Sequence, residues 1–124
     1  MDEVLREFVT EALDSVESVD RELVRFEQEP TNAATLANIF RLVHTVKGTC
    51  GFLDLPRLEA LSHAAESLIG QFRDGAVVTS DAVTLILQAI DRIKLILRHL
   101  EQVQTEPDGD DRDLIAALSE QPAT

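Results

Sequence analysis

The sequence predicts an all-α chain: an up-down four-helix bundle with a short fifth helix at its C-terminal end. Three observations predict it. Apolar residues recur at steps of three and four along every segment, the period of a helix face turned toward a core. No segment alternates apolar and polar residues at period two, as a half-buried strand would. The breaks between striped segments are short and carry Pro, Gly or capping side chains, which points to antiparallel neighbours.

The first helix carries Leu5, Val9, Ala12, Val16, Val19, Leu23 and Phe26 as one long stripe. Pro30, with polar Thr31 and Asn32, ends that run and opens the next. The second stripe is Leu36, Ile39, Phe40, Val43, Val46 and Cys50. Leu53-Asp54-Leu55-Pro56 breaks it, and Pro56 suits a first helical turn, where a missing N–H costs nothing. Leu58, Leu61, Ala65, Leu68, Ile69 and Phe72 form the third stripe, with Gly75 as its C-terminal stop. Thr79, Ser80 and Asp81 offer capping oxygens to the fourth helix, whose stripe is Val83, Ile86, Leu87, Ile90, Ile93, Leu97 and Leu100. Leu114, Ile115 and Leu118 share one side of the short last helix. The whole of 1–124 is expected to be one domain. It divides into a bundle over about 2–104, an acidic linker over about 105–111 and the short helix over about 111–120.

At 124 residues the chain has room for one compact core. Hydrophobic residues at 44% and charged residues at 27% exclude a disordered tail. No apolar run approaches the roughly 20 residues needed to cross a bilayer. The opening MDEVLREFV has acids where a secretory signal has bases, and the single cysteine suits a reducing compartment, so a cytoplasmic location is expected. Eleven bases against 23 acids give a net charge of -12, which repels nucleic acid and anionic lipid alike. The acid is uneven. Residues 1–29 hold ten acids and three bases, 101–124 hold seven and one, and 30–100 hold six and seven. The ends read as solvated helix faces, and chemistry is expected in the near-neutral middle.

That middle contains HTVKGTCGFL, residues 44–53, with Gly48 and Gly51 inside a helical pattern. Each glycine costs about 1 kcal/mol relative to alanine in a helix interior. At 100° per residue, Ala37, His44, Gly48 and Gly51 fall on one strip beside the apolar stripe. His44 is thus expected at the edge of the core, with a bare turn after it and Lys47 within reach at i,i+3. An imidazole in a notch with a cation alongside suits phosphoryl acceptance and the approach of a second protein. The alternative is a packing histidine in an interaction bundle, with glycines that let another helix come close.

The run IFRLVHTVKGTCGFLDLPRLEALSHAAESLIGQFRDG, residues 39–75, resembles the histidine phosphotransfer (Hpt) domain of CheA-type chemotaxis kinases. The resemblance rests on His44-x-x-Lys47-Gly48, Gly51-Phe52-Leu53, His63-x-x-Glu66 and Arg73-Asp74-Gly75. It extends over nearly the whole chain, through the acidic linker to DDRDLIAAL. It implies the first domain of such a kinase, with His44 as phosphoacceptor and Lys47 holding phosphoryl oxygens. His63 and Glu66 would belong to the supporting hydrogen-bond network. The helical wheel does not show that last part, since His63 and Glu66 fall off the apolar stripe of their helix. Gly48 and Gly51 would keep the approach to His44 open.

If Glu66 accepts a hydrogen bond from Nδ1–H of His44, Nε2 is left as the nucleophile. The chain has no phosphate loop, Walker pattern or kinase signature, so it is expected to bind no cofactor and to be no enzyme by itself. ATP on a CheA-type catalytic domain, and Mg²⁺ on CheY- or CheB-like receiver domains, would act in trans. The isolated domain is expected to be a monomer. A metal site is the main chemical rival, because His63 and Glu66 imitate a bundle Glu-x-x-His pair. The stripes offer no further inward ligands, so no metal is expected. Cys50, on the buried stripe, reads as a small hydrophobe.

Overall fold

A computed structural model describes residues 3–18 and 20–120. Six helical segments follow in order: α1 (Glu3–Ser18), α2 (Asp20–Gln28), α3 (Ala33–Leu53), α4 (Pro56–Arg73), α5 (Ser80–Val103) and α6 (Arg112–Ser119). No strand occurs among the described residues. The single long first helix expected from the stripe is instead described as two segments, α1 and α2. Val19, the stripe residue between them, lies outside the described residues. Both segments turn the expected face inward, with Val9, Ala12 and Val16 buried in α1 and Leu23 and Phe26 in α2. Phe8 and Leu13 widen that face beyond the stripe. Each segment packs against both α3 and α5, so together they fill one corner of the bundle.

The core is built from the stripes of all four corners. Ile86, Ile90, Ile93, Ile96, Leu97 and Leu100 of α5 are completely or almost completely buried, as are Leu58, Leu61, Leu68 and Ile69 of α4 and Ile39 of α3. Each such side chain contributes roughly 1.5–3 kcal/mol by leaving water. The most extensive helix pair is α3 against α4. These two antiparallel helices form the seam that carries the site.

Helix boundaries follow local chemistry. Asn32 caps α3 by accepting from the Thr35 N–H at 3.0 Å, and Thr79 caps α5 by accepting from Ala82 at 3.1 Å. Asp54 ends α3 in the left-handed region (φ 57°), returning its N–H to the Cys50 carbonyl. Gly75 follows α4 at φ +104°, a conformation open to glycine without strain.

One end of the bundle departs from the sequence expectation. The acidic C-terminal stretch is not simply solvated. Pro56 opens α4 with no side-chain cap from Leu55. Glu106 of the linker stands in, accepting from the N–H groups of Arg57 (3.1 Å) and Leu58 (2.9 Å). Asp111 is 4% exposed and takes bonds from both Arg57 (2.8 and 3.1 Å) and Arg92 (2.7 Å). Arg57 also donates to the carbonyl of Pro107 at 3.0 Å. Two carboxylates thus fasten the linker to α4 and α5, and Leu118 of α6 closes against the core behind them. Burial alone would raise the Asp111 pKa, but the two arginines outweigh it and hold the carboxyl below its ordinary value.

Candidate functional site

His44 and Lys47 stand one turn apart on α3, and Glu66 faces them from α4. Steps of three, four and seven residues along α3 bring Phe40, His44 and Lys47 to one side of the helix. On α4 the same logic places Glu66 and Arg73, seven apart, along the facing edge. His44 Nδ1 lies 2.6 Å from Glu66 Oε2, and Lys47 Nζ donates to Glu66 Oε1 at 2.8 Å. One carboxylate therefore holds both side chains, one through each oxygen.

The protonation pattern follows from electrostatics. Burial tends to raise the Glu66 pKa, since its side chain is only 14% exposed. Hydrogen bonds from Lys47 and His44, with the charges behind them, outweigh that cost and hold Glu66 below the ordinary carboxylate range. An ionised carboxylate has no proton to give. The 2.6 Å contact therefore requires Nδ1–H of His44 to be the donor, which leaves the Nε2 lone pair free on the neutral ring. The imidazole is 61% exposed, so Nε2 is reachable from solvent.

The turn beyond His44 is open. A Cβ added to Gly48 would meet nothing within 4 Å, and one added to Gly51 would touch only the flexible Glu59 carboxylate at 3.6 Å. Neither glycine serves close helix packing among the described residues. Phe52, two turns past His44 on the same helix, is 81% exposed.

His63 is the expected network residue that the structure leaves out. It is exposed on α4, one turn before Glu66, and makes no hydrogen bond or ion pair among the described residues. Both oxygens of Glu66 already have partners, so nothing draws the His63 ring inward. Sequence reasoning had placed Phe40 only in the core. In the structure its ring stacks on His44, with centroids 5.9 Å apart and planes 11° from parallel. The Arg73 guanidinium lies over the Phe40 ring at 4.1 Å. The i,i+4 spacing of Phe40 and His44 was a visible signal for the first contact, whereas the second depends on helix pairing.

The structure also locates Cys50. It is fully buried, and burial, with Glu106 and Glu59 adding to it, pushes its thiol up to about 12. Among the described residues, no group of three or more His, Cys, Asp or Glu side chains gathers where a metal could bind. No described helix is long and apolar enough to cross a membrane.

Comparison with known proteins identifies the family and the fold. The chain is 35% identical over 98 residues to the sensor histidine kinase CheAY of Helicobacter pylori, covering 78% of this chain and 12% of that protein. It is 34% identical over 119 residues to the chemotaxis protein CheA of Halobacterium salinarum, covering 95% and 17%. The chain thus spans less than a fifth of the length of these relatives. Among solved structures, it superposes on the phosphorylated P1 domain of CheA3 in complex with CheY6 from R. sphaeroides. The TM-score is 0.85 at 26% identity, covering 96% of this chain and 94% of that one. The solution structure of the histidine phosphotransfer domain of CheA shares the fold at a TM-score of 0.84 and 23% identity, over 96% and 91% of the two chains. The Hpt domain model matches residues 3–102, from the first turn of α1 to the last of α5. With that match running through all the helices that build the seam, the chain belongs to the Hpt domain family.

Proposed function

We propose that this chain is the phosphoryl carrier of a chemotaxis-type two-component kinase, with His44 Nε2 as the acceptor atom. The observation that carries the proposal is the 2.6 Å contact from His44 Nδ1 to an ionised Glu66, because it fixes the tautomer that makes Nε2 nucleophilic. In the first step the Nε2 lone pair attacks the γ-phosphorus of ATP held by a CheA-type catalytic domain. An N–P bond forms, the bond to the departing ADP oxygen breaks, and the ring becomes an imidazolium that keeps its Nδ1–H. Glu66 stabilises that developing positive charge, while Lys47 offsets the incoming phosphoryl oxygens. In the second step a receiver aspartate attacks the phosphorus, the N–P electrons return to Nε2, and neutral imidazole is restored. Mg²⁺ bound by the receiver serves that half of the chemistry.

The open turn at Gly48 supports approach by both partners, and the near-neutral 30–100 stretch suits an acidic CheY- or CheB-like site. The net charge of -12 supports protein partners rather than nucleic acid or an anionic membrane. A cytoplasmic setting goes with this reading, as does a parent protein that is a histidine kinase. Incubation with ATP and a CheA-type catalytic domain should label the native chain, and His44→Gln should fold yet take no label. The label should be lost in acid and survive in base. Equal labelling of the two proteins would overturn the assignment.

A further inference from the structure

A single hydrogen bond fixes one atom of a ring but not the tilt of its plane. Glu66 holds His44 at Nδ1, yet the ring could still swing about that contact and sweep Nε2 through an arc. What removes this freedom is a flat surface against the ring face. Phe40 supplies one: its plane is 11° from that of His44, with centroids 5.9 Å apart, an offset stack within the favourable range. Phe40 is itself anchored, because its ring packs against the core and carries the Arg73 guanidinium at 4.1 Å. Arg73 sits in the last turn of α4, where a cation suits the helix dipole. The seam therefore holds the exposed imidazole by its edge at one helix and by its face at the other.

We infer that Phe40 and Arg73 are positioning residues for phosphoryl acceptance, holding the plane of the exposed His44 ring so that Nε2 stays presented to an incoming partner. This inference rests on the phosphoacceptor reading of His44. It adds that the Glu66 clamp alone does not orient the nucleophile. Neither residue touches the phosphoryl group in this account. Both act through the ring, so their loss slows transfer without changing the tautomer.

The test uses Phe40→Leu, which keeps an apolar side chain on the core but removes the stack, with Phe40→Tyr as the conservative rescue. In the unphosphorylated native domain, the His44 ring protons should show a ring-current shift that vanishes in Phe40→Leu and returns in Phe40→Tyr. The nitrogen shifts of His44 should report the same Nε2-unprotonated tautomer in all three. Labelling by a CheA-type catalytic domain should fall roughly tenfold in Phe40→Leu and recover in Phe40→Tyr. Arg73→Ala should give a smaller loss that Arg73→Lys, lacking the planar face, restores only in part. Native labelling of Phe40→Leu would overturn the inference while leaving His44 as the acceptor. A Phe40→Tyr variant as slow as Phe40→Leu would reduce Phe40 to packing and overturn it as well. Absence of label from the native chain itself would overturn the phosphoacceptor reading, and this inference with it.

Discussion

At the residue scale, the site depends on how one carboxylate is shared. Glu66 holds Lys47 and His44 through separate oxygens, so replacing it releases both at once. Glu66→Ala should slow labelling by ~10- to 100-fold, the equivalent of losing one charge-assisted hydrogen bond of about 1.5–3 kcal/mol. It should not abolish labelling, because Nε2 remains unprotonated in part of the tautomer population. An unchanged rate, measured under the same single-turnover conditions, would contradict the tautomer argument. The histidine strip was legible without the structure: 100° steps set His44, Gly48 and Gly51 beside the apolar stripe, where the structure finds an exposed ring and an open turn. The partnership with Glu66 was not legible from periodicity, since it joins positions 22 residues apart on different helices. It came from the family resemblance. That resemblance also put His63 into the network, where the structure shows it exposed and unbonded. The contact of Arg73 with Phe40 was not legible for the same reason as that of Glu66 with His44, because it crosses the α3–α4 seam.

At the element scale, the caps were readable and the linker was not. Asn32, Pro56 and Thr79 stand where local chemistry puts them, because a cap is a matter of three or four neighbouring residues. Asp111 looks like one more acid in an acidic stretch, and only tertiary contact with Arg57 and Arg92 reveals it as a buried fastening. Asp111→Asn should cost about 2 kcal/mol, as two guanidinium groups lose a charged acceptor. Its pH signature has a definite sign. The folded-state pKa of Asp111 lies below its ordinary 3.8, so its stabilisation is fully present above that value and is lost as pH falls through the lower one. Thermal unfolding followed from neutral to strongly acidic pH should therefore fall less steeply in Asp111→Asn than in the native chain. Parallel curves would contradict the fastening. Phosphoryl acceptance should survive this substitution, because the fastening joins the linker to α4 and α5 at Arg57 and Arg92, not at Glu66.

At the scale of the whole molecule, a bundle of long helices serves as a rigid mount for one exposed ring. The buried isoleucines and leucines of α5 and the extensive α3–α4 packing fix the seam, and the seam fixes the ring. Charge is distributed to match: most acids lie before residue 30 and after residue 100, leaving the histidine region near neutral. Under the proposed function, the chain supplies a nucleophile, a tautomer clamp and an open approach, which are the parts of a carrier. The most direct measurement is phosphorus NMR of the domain loaded by a CheA-type kinase. One phosphoramidate resonance should couple to the His44 ring through Nε2, and it should disappear when a CheY-like receiver and Mg²⁺ are added. Phosphorus on Nδ1, on His63 or on any other residue, or a resonance that persists beside an active receiver, would contradict the account.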